Sequence, residues 1–132
     1  MSTETTASVS THILDTSIGR PAEGVAISLA ARAGSGAAWA ALGGSATDAD
    51  GRCKDLPALP EGTTHVRLDF ETEAYFDKKQ ADAQQDAPAS RDSGTSGAFF
   101  PEVAITFAVT PGEHYHVPLL LNPFGYSVYR GS

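Results

Sequence analysis

Cysteine is nearly absent from this 132-residue chain, and its one occurrence, Cys53, excludes an internal disulfide. No second Cys or Cys-His cluster supplies zinc-ligand spacing. Cys53 lies between Arg52 and Lys54 in a turn-to-strand region, where a lone Cys is expected to pack rather than react. Basic residues are also scarce. Nine Lys and Arg stand against 16 Asp and Glu, a formal net charge of -7, which argues against non-specific nucleic-acid binding and against an anionic membrane surface. The deficit does not exclude an anionic small substrate, because a local Arg or His pair outweighs the global field at short range. No apolar run approaches the roughly 20 residues of a membrane-spanning helix. Met1 to Ser10 has no apolar signal-peptide core, and the chain does not close on Ser-Lys-Leu. The expectation is a soluble intracellular protein in the cytoplasm, with the peroxisome as the alternative address.

What is present is turn chemistry: 13 Gly and 8 Pro, with 41% apolar and 19% charged residues. This suits one all-β domain spanning 1–132 better than a helical one. Ser10 to Asp15 alternates in polarity, and Val25, Ile27, Leu29 and Ala31 form one apolar face. Ala37 to Thr47 reads as a small-residue strand around Trp39, a packing residue, and Arg52 to Leu56 as a short strand after the turn Asp48-Ala49-Asp50-Gly51. Gly51 is expected at positive φ. Val66, Leu68 and Phe70 oppose His65, Arg67 and Asp69, which leaves His65 facing solvent. Val103, Ile105, Phe107 and Val109 alternate again. Pro111-Gly112 fits the centre of a type II turn. His114 to Leu121 is a strand, Asn122 to Gly125 a turn, and Tyr126 to Tyr129 a last strand. One short polar helix is expected over about Ala74 to Ala83, and residues 82–97 read as a mobile loop insertion with little to bury. Residues 1–10 are expected to be flexible. About eight strands and one helix make a β-sandwich.

Three features could carry chemistry: His12 on the first strand, Arg52 after the sharp turn, and His114-Tyr115-His116. Alternation puts His114, His116 and Pro118 on one strand face and Tyr115, Val117 and Leu119 on the other. Spacing alone leaves open whether that histidine face lines a pocket or is a solvated edge. There is no Gly-x-Ser-x-Gly elbow, no phosphate-binding Gly-Lys-Ser/Thr loop and no His-Glu-x-x-His zinc motif. The two histidines could grip zinc, but nothing nearby plainly supplies further ligands, so no metal is expected.

Two segments carry a family resemblance. Residues 12–25, His-Ile-Leu-Asp-Thr-Ser-Ile-Gly-Arg-Pro-Ala-Glu-Gly-Val, resemble the opening of transthyretin-like proteins. Residues 114–132, from His-Tyr-His-Val-Pro to Tyr-Arg-Gly-Ser, resemble the closing segment of the 5-hydroxyisourate hydrolases of that family. Asp48 to Arg52, Tyr75-Phe76 and Phe99-Phe100-Pro101-Glu102 fall between them in the expected order. Asn122 stands where the family commonly has Ser, and Phe124 where Tyr is frequent; neither touches a presumed catalytic group. The resemblance implies an eight-stranded sandwich assembled as a homotetramer, a dimer of dimers, with active sites where dimers meet.

It also implies a reaction: hydrolytic, cofactor-free and metal-independent opening of 5-hydroxyisourate, a cyclic amide, to 2-oxo-4-hydroxy-4-carboxy-5-ureidoimidazoline in urate (purine) degradation. Position by position, the implied catalytic residues are His12, Arg52, His116 and Ser132. Arg52, Tyr129 and Arg130 are implied on the substrate side. A histidine titrates near working pH and suits water activation. The planar guanidinium suits a flat heterocycle with carbonyl or imide oxygens. Ser132, through its hydroxyl and terminal carboxylate, would position water or a histidine. His114 is expected on the strand surface or behind the catalytic groups, and Arg130 either braces the tail or touches substrate. Two other readings stand beside the enzyme: a carrier of a small aromatic hormone in the same channel, and a sandwich that merely oligomerises.

Overall fold

The computed structural model describes residues 6–83 and 98–131, with side chains up to Lys79 in the first stretch. Among the described residues, nine strand segments form two facing sheets and one helix accompanies them. They are β1 (Ser8–Asp15), β2 (Arg20–Pro21), β3 (Ala26–Arg32), β4 (Ala40–Ala46), β5 (Arg52–Cys53), β6 (His65–Phe70), α1 (Thr72–Ala83), β7 (Val103–Ala108), β8 (His114–Asn122) and β9 (Gly125–Val128). One sheet runs β2-β1-β8-β9, with β5 also pairing with β1, and the other runs β4-β3-β6-β7. All pairings are antiparallel except that of β1 with β8, strands from opposite ends of the chain, which run parallel over eight residue pairs.

The core lies between the sheets, as the two-residue alternation demands. Val9, Ile13, Tyr115, Val117, Leu119 and Leu121 from one sheet meet Ile27, Leu29, Val66, Leu68, Phe70 and Val103 from the other. Cys53 is buried in the same core, and the guanidinium groups of Arg32 and Arg67 lie 4.5 and 5.1 Å from the centre of the Trp39 ring. Helix α1 packs through Tyr75 and Phe76. The Tyr75 hydroxyl donates to Asp15 Oδ2 at 2.7 Å, giving that buried carboxylate the partner it needs. Burial, with the Asp15 carboxylate beside it, pushes the Tyr75 hydroxyl well above the ordinary tyrosine value.

The structure differs from the sequence reading at several boundaries. Ser8, Val9 and Ser10, expected in a flexible lead-in, belong to β1 because β8 pairs with them. Residues 1–5 and 84–97, which hold the rest of that lead-in and most of the expected insertion, lie outside the described residues. Strand β4 starts at Ala40 rather than Ala37, and β5 is two residues long because only Thr11 and His12 of β1 face it. Helix α1 begins at Thr72, whose hydroxyl donates to the Phe100 carbonyl while Glu73 N donates to Pro101 O. Among the described residues, no helix is long and apolar enough to cross a membrane.

Candidate active site

Since Val9, Thr11, Ile13 and Asp15 fill the interior, alternation turns Ser8, Ser10 and His12 to the outer face of β1. In β8, Tyr115, Val117 and Leu119 point inward, which turns His114, His116 and Pro118 the same way. The parallel register then sets Ser8 beside His114, Ser10 beside His116 and His12 beside Pro118. The His12 and His116 rings lie on one diagonal of this pair, centroids 6.5 Å apart and planes inclined by 25°.

Arg52 reaches the same face through the turn before it. The Asp48 carboxylate accepts the backbone N–H groups of Asp50 and Arg52 at 2.9 and 3.0 Å, and these bonds hold it below the ordinary carboxylate range. Gly51 closes the turn at φ +75°, with its carbonyl accepting Ile13 N–H at 2.8 Å. A Cβ there would stand 2.5 Å from the Ile13 carbonyl oxygen, so the turn lies against β1 only because residue 51 has no side chain. The result is Arg52 directly opposite His12.

Ser10, only 7% exposed, holds both imidazoles of β8. Its Oγ lies 2.9 Å from His116 Nδ1 and 2.9 Å from His114 Nε2, and Ser8 Oγ lies 2.6 Å from His114 Nδ1. The His116 pKa is lowered from the ordinary histidine value, first by burial and then by the positive charge of Arg52 and by His12 and His114. The shift favours the neutral imidazole, the form a general base requires. Among the described residues, no group of three or more His, Cys, Asp or Glu side chains is arranged to hold a metal ion.

The closing segment folds over this face. Strand β9 pairs Val128 with Leu119, and the same register extends to a lone bridge between Gly131 and His116. Between them, Tyr129 N donates to Pro118 O, but proline has no N–H to return, so the ladder breaks there. It resumes at Gly131, whose N–H donates to the His116 carbonyl at 2.7 Å. Ser132, the next residue, lies outside the described residues. Arg130 turns away from the histidines. Its Nη2 donates to Glu113 Oε1 at 3.3 Å, and its guanidinium sits 4.4 Å from the centre of the Tyr115 ring. Tyr129 is 57% exposed, and with Arg130 it borders an apolar recess of about 250 Å³ lined also by Ile105, Phe107 and Tyr115. Within one chain, then, His12, Arg52 and His116 come together beside Gly131, Arg130 pairs with Glu113 and Tyr115, and Tyr129 follows the strand opposite Pro118.

Ser8 and Ser10 were not legible as site residues. Their only signal is two-residue spacing ahead of His12, which gains meaning once β1 is known to run parallel to β8. Together the groups offer two imidazoles and a guanidinium on one open sheet face. Such a set can activate water, accept or deliver a proton, and hold an anionic oxygen.

Comparison with known proteins gives the chain's relatives. The sequence profile described as the HIUase/Transthyretin family matches residues 9–131. The 5-hydroxyisourate hydrolase of Salmonella dublin is 40% identical over 126 residues, covering 94% of this chain and 80% of that protein. The solved structure of Klebsiella pneumoniae 5-hydroxyisourate hydrolase, 36% identical, superposes with a TM-score of 0.66 over 94% of this chain and 98% of its own. Transthyretin from Sparus aurata, 26% identical, superposes with a TM-score of 0.71 over 93% and 95%.

Proposed function

The chain belongs to the HIUase/Transthyretin family, and on that premise we propose that it is a 5-hydroxyisourate hydrolase of urate degradation. The observation that carries this reading is the convergence of His12, Arg52 and His116 on one sheet face beneath the closing segment. Water activated by the His116–His12 pair attacks a ring carbonyl of the substrate, and the ring C–N bond opens to give 2-oxo-4-hydroxy-4-carboxy-5-ureidoimidazoline. Arg52 binds the substrate edge and offsets the negative charge that builds on oxygen in the transition state. Ser132 follows Gly131 directly, and we assign its hydroxyl to positioning the water or a histidine. Arg130, tied to Glu113 and Tyr115, braces the tail in its own chain.

We assign the active form to a homotetramer, a dimer of dimers with sites where dimers meet. The histidine face is an outer sheet surface with Arg52 exposed, and among the described residues strands β7 and β9 end their sheets without a partner on one side. A second copy would complete the walls that this chain leaves open. The test is spectroscopic decay of freshly generated 5-hydroxyisourate with and without the protein. Acceleration proportional to protein concentration is expected; decay at the spontaneous rate would overturn the reading and favour a carrier or a structural sandwich.

A further inference from the structure

A serine hydroxyl has one proton and two lone pairs, so one that bridges two imidazoles can donate to one while it accepts from the other. Ser10 is in that position between His116 Nδ1 and His114 Nε2, and Ser8 Oγ occupies the remaining nitrogen of His114. The four groups form one line, from half-buried His116 to exposed His114 and Ser8 at the rim. Two orderings run continuously from one end of the line to the other. In the first, His116 Nδ1–H donates to Ser10, Ser10 donates to His114 Nε2, and His114 Nδ1–H donates to Ser8. In the second, each bond runs the other way, and His116 carries its proton on Nε2. The first leaves Nε2 with the lone pair that a base needs.

We propose that Ser8, Ser10 and His114 form a proton relay behind His116, with Ser10 the positioning residue that keeps the proton on Nδ1 and leaves Nε2 as the base. This deepens the hydrolase reading and rests on it. Hydrolysis of the ring amide forms a C–O bond to water and breaks a C–N bond. The C–N electron pair goes to nitrogen, which takes the proton that His116 Nε2 removed from water. The new carboxylic acid, with an ordinary pKa of about 4, then ionises, so one proton must leave the site in each turnover. That proton passes to solvent, and the line acts earlier. While Nε2 holds the proton taken from water, the Nδ1 proton moves to Ser10 and the Ser10 proton to His114 Nε2, which puts the positive charge on exposed His114. As nitrogen takes the Nε2 proton, the line runs back and frees Nε2 again. No co-reactant is required.

Two measurements on the full chain test this. Imidazole nitrogen NMR without substrate should show His116 protonated on Nδ1, shifting toward the Nε2–H form in Ser10→Ala. A wild-type His116 already in the Nε2–H form would overturn the positioning role. In kinetics, Ser10→Ala should lower kcat about 10- to 100-fold with KM nearly unchanged, and Ser10→Thr, which keeps the hydroxyl, should recover most of it. His114→Ala should lose about tenfold in kcat and regain it as free imidazole is added, while the wild type ignores imidazole. Wild-type kcat in His114→Ala, or a deficit that imidazole does not touch, would overturn the relay. Failure of the hydrolase reading would instead appear as no turnover by the wild type, with the NMR test of Ser10 still decisive.

Discussion

Gly131→Ala should cost catalysis and leave the fold intact. An added Cβ would stand 2.9 Å from His116 Cδ2, 3.3 Å from the His116 carbonyl oxygen and 3.3 Å from Pro118 Cδ. Ordinary carbon–carbon contact begins at about 3.5 Å, so the imidazole or the tail must move by roughly 0.6 Å. Pro118 is buried and fixed within β8, which leaves two ways to yield. If the ring turns, the 2.9 Å bond from His116 Nδ1 to Ser10 is lost. If the tail lifts, the 2.7 Å bond from Gly131 N stretches beyond 3 Å and Ser132 moves with it. Either route displaces a group that must stay aligned, and a misplacement of about 1 Å can cost about 10² in rate. The expected loss in kcat/KM is therefore about 10- to 100-fold, or roughly 1.4 to 2.7 kcal/mol of transition-state stabilisation. The residue is at the rim of the domain, so Tm should change by no more than a degree or two. The assay is decay of freshly generated 5-hydroxyisourate, run alongside a thermal melt. Wild-type kcat/KM in Gly131→Ala would refute the reasoning, and so would a rate loss matched by a large fall in Tm.

Replacing His116 or His12 by Ala should lower kcat by about 10²–10⁴, with circular dichroism unchanged; wild-type turnover in both variants would remove them from the mechanism. Because burial and the positive neighbours lower the His116 pKa, its neutral form persists below pH ~6.5, and the acid limb of kcat/KM should fall below that value. In stability terms the contribution of His116 is complete above pH ~6.5 and lost as pH falls through its folded value. An NMR titration of His116 should show the same low midpoint, moving up in Arg52→Gln as one positive neighbour is removed. Tyr75→Phe removes the donor to Asp15 Oδ2, which is 1% exposed, and should cost about 1.5–3 kcal/mol in urea unfolding while kcat stays near wild type.

Legibility in the sequence followed the range of the interactions. The alternation of Val66, Leu68 and Phe70 against His65, Arg67 and Asp69 appears in β6 as read, because a strand's faces are set by its own residues. The Asp48–Gly51 turn was equally local, down to the positive φ of Gly51. In β3 the reading missed the burial of Ala30, where the pairing with β4 shifts register after Leu29. The start of α1 depends on the Phe100 and Pro101 carbonyls, far along the chain, so pattern alone put it two residues late. His12, Arg52 and His116 stood out by residue type and family resemblance, whereas Ser10 did not. Its role is created by a partner 106 positions away, and no periodicity in either segment announces a parallel pairing.

That parallel pairing explains why the active face can be both rigid and open. His12 and His116 are fixed by adjacent strands of one sheet, and Arg52 by a turn bonded to β1, so their spacing is set by backbone ladders rather than by loop packing. The closing segment is held differently. Pro118 withholds one ladder bond from Tyr129, so among the described residues the tail is held by the Tyr129 and Gly131 N–H bonds to Pro118 and His116 and by Arg130 on Glu113 and Tyr115. A group attached by so little backbone contributes little to folding stability, yet it abuts the base. Substitutions in β1 or β8 should therefore be felt in stability and rate together, and those in the tail in rate alone.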